Sequence, residues 1–201
     1  MHTIVNKQID KTFAFDNAFG PTSKQEFDQD VSPIVHEFLE GYNDAIFAYG
    51  QIGAGKMYTM EGGARKMNGE FTSDAGVIPR AVKKIFDILD AQSAEYNMKV
   101  TFFELYSKEI TNLLAPEECS KFIDDKSKKP IALMEDGKGG DFLRGFEEEI
   151  VCTVNEIYKI LEKGSTKRRT METLLNKRSI RSHSIFSITI HIKECMPEGR
   201  R

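Results

Sequence analysis

Residues Gly50 to Met57 read Gly-Gln-Ile-Gly-Ala-Gly-Lys-Met and contain the residue types that bind phosphate. They fit the first seven positions of the phosphate-loop pattern G-x-x-x-x-G-K-[ST]. Glycines let backbone N–H groups turn toward phosphate oxygens, and the lysine adds positive charge. The apolar run Ala45 to Gly50 predicts a preceding strand buried on both faces, and a helix is predicted to follow. We therefore predict a phosphate-binding loop at 50–57; the alternative is a glycine-rich turn with a solvated lysine.

The last position of the pattern departs from it. Met57 stands where a Ser or Thr hydroxyl would bind Mg²⁺. Magnesium requires oxygen ligands, and a thioether is a soft and poor substitute. We expect nucleotide binding in weakened form, with impaired hydrolysis, because the metal neutralises charge on the transferring phosphate.

Composition narrows the class of protein. The chain has 201 residues, 40% hydrophobic and 29% charged, which is enough for one domain with a core. A net charge of −3 argues against a globally basic nucleic-acid binder, and no stretch approaches the roughly 18 apolar residues of a membrane span. The three cysteines are widely separated, which argues against a disulfide framework or a zinc site and favours a reducing compartment.

Helix and strand patterns alternate along the chain and predict an α/β fold. The predicted strands are Phe13 to Phe19, Ala45 to Gly50, Val100 to Tyr106 and the alternating stretch Phe186, Ile188, Ile190 and Ile192. Four further helices are predicted: two begin at capping boxes, Ser23/Glu26 and Thr153/Glu156, one at the Ser32 N-cap with Pro33, and one after Pro79. The helix after Pro79 is expected to bury Val82, Ile85, Phe86 and Leu89. The helix after Thr153 is expected to bury Val154, Ile157, Tyr158 and Leu161. Gly41 and Gly164 are predicted helix ends, a long polar loop spans Gly62 to Gly76, and a hairpin is predicted around Gly137, Gly139 and Gly140.

Two stretches together resemble the kinesin motor domain family. IFAYGQIGAGKMYTMEGG (46–63) is similar to the family's phosphate loop, GQTGxGKT, and NKRSIRSHSIF (176–186) is similar to its switch I, NxxSSRSH. The resemblance runs from about Asn6 to Cys195. Two further segments, IALMEDGKGG and RGFEEEIVCTVNEIYKILEKGS, look most like the plant branch of the BimC-type bipolar spindle kinesins. The implied fold is the kinesin-type P-loop NTPase fold, a central mixed sheet flanked by helices.

The resemblance implies roles for individual residues. The implied nucleotide-binding residues are Gly50, Gln51, Ile52, Gly53, Ala54, Gly55, Lys56, Met57 and Tyr58, with the phosphates in the loop and the Tyr58 ring on adenine. The implied catalytic residues in switch I (176–184), which senses the γ-phosphate, are Asn176, Ser179, Arg181 and Ser182; His183 also matches the motif. Without the resemblance, Tyr58 is simply a packed aromatic, and Arg178 and Arg181 are solvated cations.

The sequence also departs from the family pattern. Ile52 and Ile180 replace a loop threonine and a switch I serine, so Met57 and Ile180 remove two oxygens from one small volume. No D-L-A-G-x-E motif follows switch I, and no R-x-R-P motif precedes the first strand. We therefore expect residues 1–201 to form a partial motor domain, truncated at both ends, with a long loop at 61–77. Central strand edges are then expected to lack partners.

Partners and location follow from the same resemblance. It implies ATP with weakly held Mg²⁺, and microtubules, with a contact at the hairpin Lys138 to Arg144, in the cytoplasm on the spindle cytoskeleton. Seven basic residues and one acidic residue lie between Lys163 and Arg181, which fits a polyanion-binding patch or a solvated face. No aromatic residues interleave there, so nucleic acid is not expected. The alternative function is a non-catalytic remnant that binds nucleotide or a partner.

Overall fold

The computed structural model describes residues 14–17, 30–63, 74–115, 131–137, 139–146, 148–174 and 182–193. Within them the helices are α1 (Ser32–Leu39), α2 (Lys56–Glu61), α3 (Val77–Ala91) and α4 (Val154–Leu174). The strands are β1 (Glu95–Tyr106), β2 (Glu109–Asn112), β3 (Ala132–Glu135), β4 (Asp141–Arg144), β5 (Glu149–Val151) and β6 (Ser182–Lys193). None of the helices in these ranges is long and apolar enough to cross a membrane.

Strand β1 organises the main sheet. It pairs with β6 along its whole length on one edge, and with β2 and β5 on the other. All of these pairs are antiparallel, and the register sets Phe102 opposite Phe186 and Glu104 opposite Ser184. The predicted strand at Val100 to Tyr106 and the predicted last strand are therefore confirmed, and β3 and β4 form the predicted hairpin.

The core lies between this sheet and the helices α3 and α4. The predicted inward residues of α3 are all buried: Val82, Ile85, Phe86 and Leu89. Ile157, Tyr158 and Leu161 of α4 join the same cluster, as predicted, and Val154 packs against it. The ring of Phe102 meets Phe186 edge-on, with centroids 5.6 Å apart. Each such fully buried side chain contributes about 1.5–3 kcal/mol of transfer free energy, so this layer holds the sheet and helices together.

One titratable group in the core has a shifted pKa. The phenol of Tyr96 packs edge-on against Phe86, with ring centroids 6.1 Å apart. Burial, helped by Asp90 and Cys152, raises the pKa of Tyr96 above its ordinary value. Because the fold favours the neutral phenol, this contribution to stability is present below the unfolded-state pKa of about 10 and is lost as the pH rises further.

Helix α4 begins with the predicted capping box. The Glu156 carboxylate accepts hydrogen bonds from the N–H groups of Cys152 (2.7 Å) and Thr153 (3.2 Å), and the Thr153 hydroxyl accepts one from the Glu156 N–H (3.3 Å). The predicted end at Gly164 is wrong, because α4 continues to Leu174. A Cβ on Gly164 would overlap the ring of Phe102. This glycine therefore allows a helix to approach a strand closely.

Replacing Gly164 by alanine should destabilise the fold. Alanine gains about 1 kcal/mol of helix propensity, but the overlap with Phe102 costs about 1–3 kcal/mol. We expect a net loss of about 1 kcal/mol in the free energy of unfolding, measured with urea. In the double variant Gly164→Ala/Phe102→Leu the two losses should be less than additive. A stabilised Gly164→Ala protein would contradict this view of the helix–strand contact.

Two predicted strands are wrong where the structure describes them. Residues 14–17 are exposed and irregular, and residues 42–50 form no strand. The side chain of Phe47 is 86% exposed and that of Tyr49 is fully exposed. An apolar run becomes a buried strand only where neighbouring strands supply ladder hydrogen bonds, and none of the described strands pairs with this segment.

Smaller differences concern the helix ends. Helix α1 takes Val31 as its N-cap, one residue before the predicted Ser32, with proline in its first turn. Its predicted end is confirmed, since Gly41 follows with a φ of 102°. The predicted capping box at Ser23 and Glu26 lies outside the described residues.

Candidate functional site

The predicted phosphate loop is an exposed turn that leads into α2. Gly53 and Gly55 have φ angles of 77° and 83°, in the left-handed region that glycine adopts without strain. Gly55 is the N-cap of α2, and its carbonyl accepts a hydrogen bond from the Thr59 N–H (2.8 Å). The Ala54 N–H donates to the Gln51 carbonyl (3.2 Å) and closes the turn. The loop therefore has backbone conformations that other residue types rarely adopt.

The lysine of the loop folds back across it. The Lys56 ammonium donates hydrogen bonds to the carbonyl oxygens of Gly50 and Gln51, each at 2.8 Å. Its charge therefore lies at the first peptides of the loop and not free in solvent. A phosphate anion placed in the loop would exchange these neutral acceptors for a charged one, which forms the stronger hydrogen bond.

The side chains around the loop differ in what they can bind. Tyr58 is 59% exposed, so its ring has a free surface for a planar ligand. Ile52 (69% exposed) and Met57 (41% exposed) offer no oxygen. The glycines and Lys56 thus fit a polyphosphate, whereas Met57 does not fit direct ligation of Mg²⁺.

The structure describes only the end of the predicted switch I. Asn176, Ser179, Ile180 and Arg181 lie outside the described residues. Ser182 and His183 begin β6, where they pair with Tyr106 and Leu105 of β1. The Ser182 side chain is partly buried and that of His183 is exposed. Where the predicted switch ends, β1 therefore holds the chain in a fixed register.

The basic stretch that begins at Lys163 contacts the protein itself. The Lys163 ammonium donates to the Leu114 carbonyl (2.8 Å), and that of Lys167 donates to the carbonyls of Asn112 and Ala115 (3.0 Å each). Lysines attached to the end of β2 are less available to a polyanion. The interpretation of this stretch as a solvated face agrees with Lys163, which is exposed, and less well with Lys167, which is half-buried; the polyanion patch stays a prediction.

Sequence reasoning missed two polar links between α4 and its neighbours. The Ser165 hydroxyl donates to the Glu61 carboxylate at the end of α2 (2.6 Å). One turn later, Arg168 forms a buried ion pair with Glu104 of β1, with Nε 3.6 Å from Oε1. A signal for the second link was available, because a carboxylate inside the apolar run of β1 requires a charged or hydrogen-bonding partner.

These features are typical of α/β proteins with a phosphate-binding loop. The loop has left-handed glycines, a lysine starts the next helix, and helices pack on a sheet. The chain belongs to the kinesin motor domain family: the profile described as "Kinesin motor domain" matches residues 2–200. The expectation of that family from the sequence is confirmed.

Individual relatives agree with the family assignment. The chain is 74% identical over 199 residues to the Kinesin-like protein KIN-5A of Arabidopsis thaliana, covering 98% of this chain and 19% of that protein. It is 70% identical over 202 residues to the Kinesin-like protein KIN-5A of Oryza sativa subsp. japonica, again covering 98% and 19%. The chain thus spans about a fifth of the length of the curated relatives it matches. The expected similarity to the plant bipolar kinesins is confirmed.

A solved structure supports the fold class. The structure of a fast kinesin, described for its ATPase mechanism and interactions with microtubules, matches with a TM-score of 0.74 and 37% sequence identity. The match covers 89% of this chain and 48% of that one. The kinesin-type α/β fold is therefore confirmed, whereas the expected mixed sheet is not seen among the described strands, whose pairs are all antiparallel.

Proposed function

We propose that this chain binds ATP at Gly50–Tyr58 and serves ATP-dependent movement on microtubules. The observation that carries the proposal is the loop itself: two left-handed glycines and a lysine held over the first loop peptides. Membership of the kinesin motor domain family supports it, as does a structural relative described for its ATPase mechanism and interactions with microtubules. Such a role places the protein in the cytoplasm on spindle microtubules.

In this proposal each group of residues has one task. Loop N–H groups from Gly50 to Gly55 bind phosphate oxygens, and Lys56 neutralises the outer phosphates. The Tyr58 ring stacks on the adenine. Asn176, Ser179, Arg181 and Ser182 approach the γ-phosphate, with β6 as their anchor. Magnesium, when bound, supplies charge neutralisation on the phosphates.

We further propose that hydrolysis is slow. Met57 and Ile180 replace two hydroxyl groups that the family pattern places around the metal. Side chains of this type at positions 57 and 180 would offer Mg²⁺ no oxygen ligand, so the metal would be held less firmly and would neutralise charge on the transferring phosphate less effectively. The second candidate function is that of a non-catalytic nucleotide-binding protein. It is favoured by the same observation, that Met57 stands in place of a Ser or Thr.

Phosphate release from Mg-ATP, measured with and without microtubules, tests the proposal. We expect slow release that microtubules increase, and no release above background in the Lys56→Met variant. Nucleotide binding without any microtubule-stimulated release would favour the non-catalytic alternative. Absence of both binding and release would contradict the proposed function.

Replacing Met57 by threonine should tighten binding of Mg-ATP. The added hydroxyl offers an oxygen ligand, and an interaction with a charged group is worth about 1.5 kcal/mol, or roughly tenfold in affinity. Met57→Val is the matched control, because valine has the shape of threonine without the hydroxyl. Affinity should rise only for threonine and only with Mg²⁺ present. Equal affinities for the two variants in Mg²⁺ titrations would contradict this role of position 57.

A further inference from the structure

We propose that Arg168 is a positioning residue that couples the phosphate loop to the start of β6, and thereby to switch I. The coupling runs through one face of α4, from Ser165 to Arg168. The inference rests on the proposed nucleotide binding for its role, whereas the contacts that form the link join side chains of this chain only.

The ion pair at the centre of this link is buried. The side chain of Glu104 is fully buried and that of Arg168 is 8% exposed, with Nε 3.6 Å from Oε1. Withdrawing two charges from water costs about as much as their attraction returns, so apolar residues of similar volume would stabilise the fold as well or better. Stability alone therefore does not account for a charged pair here, and the proposed role of the pair is to fix one arrangement of α4 against the sheet.

The same guanidinium reaches the second strand. Nη1 of Arg168 donates to the hydroxyl of Ser184 at 3.3 Å. Ser184 is the register partner of Glu104, two residues beyond the start of β6. One side chain of α4 thus contacts both strands at the place where the chain leaves switch I.

The other end of the link is one helical turn away. Ser165 donates to the Glu61 carboxylate at 2.6 Å, and Glu61 is the last residue of α2, which begins at Lys56. Residues 165 and 168 are three apart in α4 and so lie on neighbouring positions of one helix face, about 4.5 Å apart along the axis. The Glu61–Ser165 hydrogen bond, one turn of α4 and the Arg168–Ser184 hydrogen bond therefore connect the end of α2 to the start of β6.

This geometry has a consequence for nucleotide recognition. ADP occupies the phosphate loop alone, whereas ATP also requires switch I at the γ-phosphate. Arg168 should therefore contribute little to ADP affinity and more to the preference for a non-hydrolysable ATP analogue. Coupling between two sites of this kind typically changes affinity by about 5- to 150-fold.

The double variant Glu104→Leu/Arg168→Met tests the inference, because it removes both charges and keeps the volume. We expect unfolding at or above the parent's denaturant midpoint, unchanged ADP affinity, and an at least fivefold loss of preference for the ATP analogue. Amide hydrogen exchange without nucleotide should accelerate at residues 182–186 and 56–61 but not at 98–102. Lys163→Met is the matched control on α4, since it removes only the contact with Leu114, and it should match the parent in all these measurements.

Parent-like exchange at 182–186 and a parent-like analogue preference in the double variant would overturn the inference. If the parent binds neither nucleotide, the proposed function fails, and the exchange pattern alone decides whether Arg168 positions β6. If the double variant does not fold, Ser184→Ala replaces it. That variant removes only the contact of Arg168 with β6, and it should accelerate exchange at 182–186 without changing exchange at 98–102.

Discussion

Replacing Lys56 by methionine should abolish most of the chain's affinity for ATP. The ammonium is held within 2.8 Å of the first two loop carbonyls, where it would face the outer phosphates. A charge-assisted hydrogen bond is worth about 1.5–3 kcal/mol, so losing it lowers affinity by roughly 10- to 100-fold. Methionine keeps the length of the side chain and removes the charge. Equilibrium titration with a fluorescent ATP analogue measures the effect.

The matched control is Lys159→Met, an exposed lysine on α4 that is outside the loop. It changes the net charge by the same amount and should bind the analogue as tightly as the parent. Equal affinity for the ATP analogue in the Lys56→Met variant and in this control would contradict a role of Lys56 in phosphate binding. Thermal unfolding of the Lys159→Met variant should match that of the parent, and Lys56→Met should be at most slightly less stable, because half-buried Lys56 donates its hydrogen bonds only to carbonyls of its own loop.

Replacing Arg168 alone by methionine should destabilise the fold more than any other variant considered. Glu104 is fully buried in β1, and the Arg168→Met change removes an ion-pair partner from a carboxylate in a low-dielectric environment. Breaking a buried pair from one side costs about 3–5 kcal/mol, a large part of the stability of a small domain. Urea unfolding at pH 7 measures the loss.

A second substitution should rescue the stability of the Arg168→Met variant. Adding Glu104→Leu to Arg168→Met should restore most of the lost free energy of unfolding, because no buried charge remains. A double variant as unstable as the single one would mean that Arg168 stabilises the fold through its packing and its contact with Ser184. A fully stable single variant would contradict the burial of the pair.

The sequence predicts those elements whose pattern is local. The spacing of Val82, Ile85, Phe86 and Leu89 identifies the buried face of α3, because side chains at these intervals share one side of a helix. Alternation identifies β6, because successive side chains of a strand point to opposite faces of the sheet. The capping box of α4 is likewise a short-range arrangement.

Features that depend on distant neighbours are not predictable in this way. Gly164 has the sequence signature of a helix end, yet it lies inside α4. A glycine is needed there because the Phe102 ring occupies the space that a Cβ would take. The apolar run before the phosphate loop predicts a buried strand, but Phe47 and Tyr49 are exposed in the structure. Periodicity specifies which residues avoid water and not which partner covers them.

The same distinction between local patterns and contacts of distant residues applies to the candidate site. The glycine and lysine spacing predicts a turn at this place, and the structure has one there, with left-handed glycines and a folded-back Lys56; phosphate binding by the turn stays a prediction. The links of Ser165 to Glu61 and of Arg168 to Glu104 join residues far apart in sequence, so no local pattern reports them. The roles of Asn176, Ser179 and Arg181 stay predictions, because they lie outside the described residues.

Amide NMR of the chain during titration with Mg-ATP tests the central claim most directly, since it reports binding residue by residue. We expect saturable shifts of the amide resonances of Gly53, Gly55 and Lys56 with Mg-ATP and with ADP, and none with adenosine, which lacks phosphates. In the Lys56→Met variant the same amide resonances should shift only at much higher concentrations of Mg-ATP. Unchanged loop amides at saturating Mg-ATP, or equal shifts with adenosine, would contradict a phosphate-binding role for this loop.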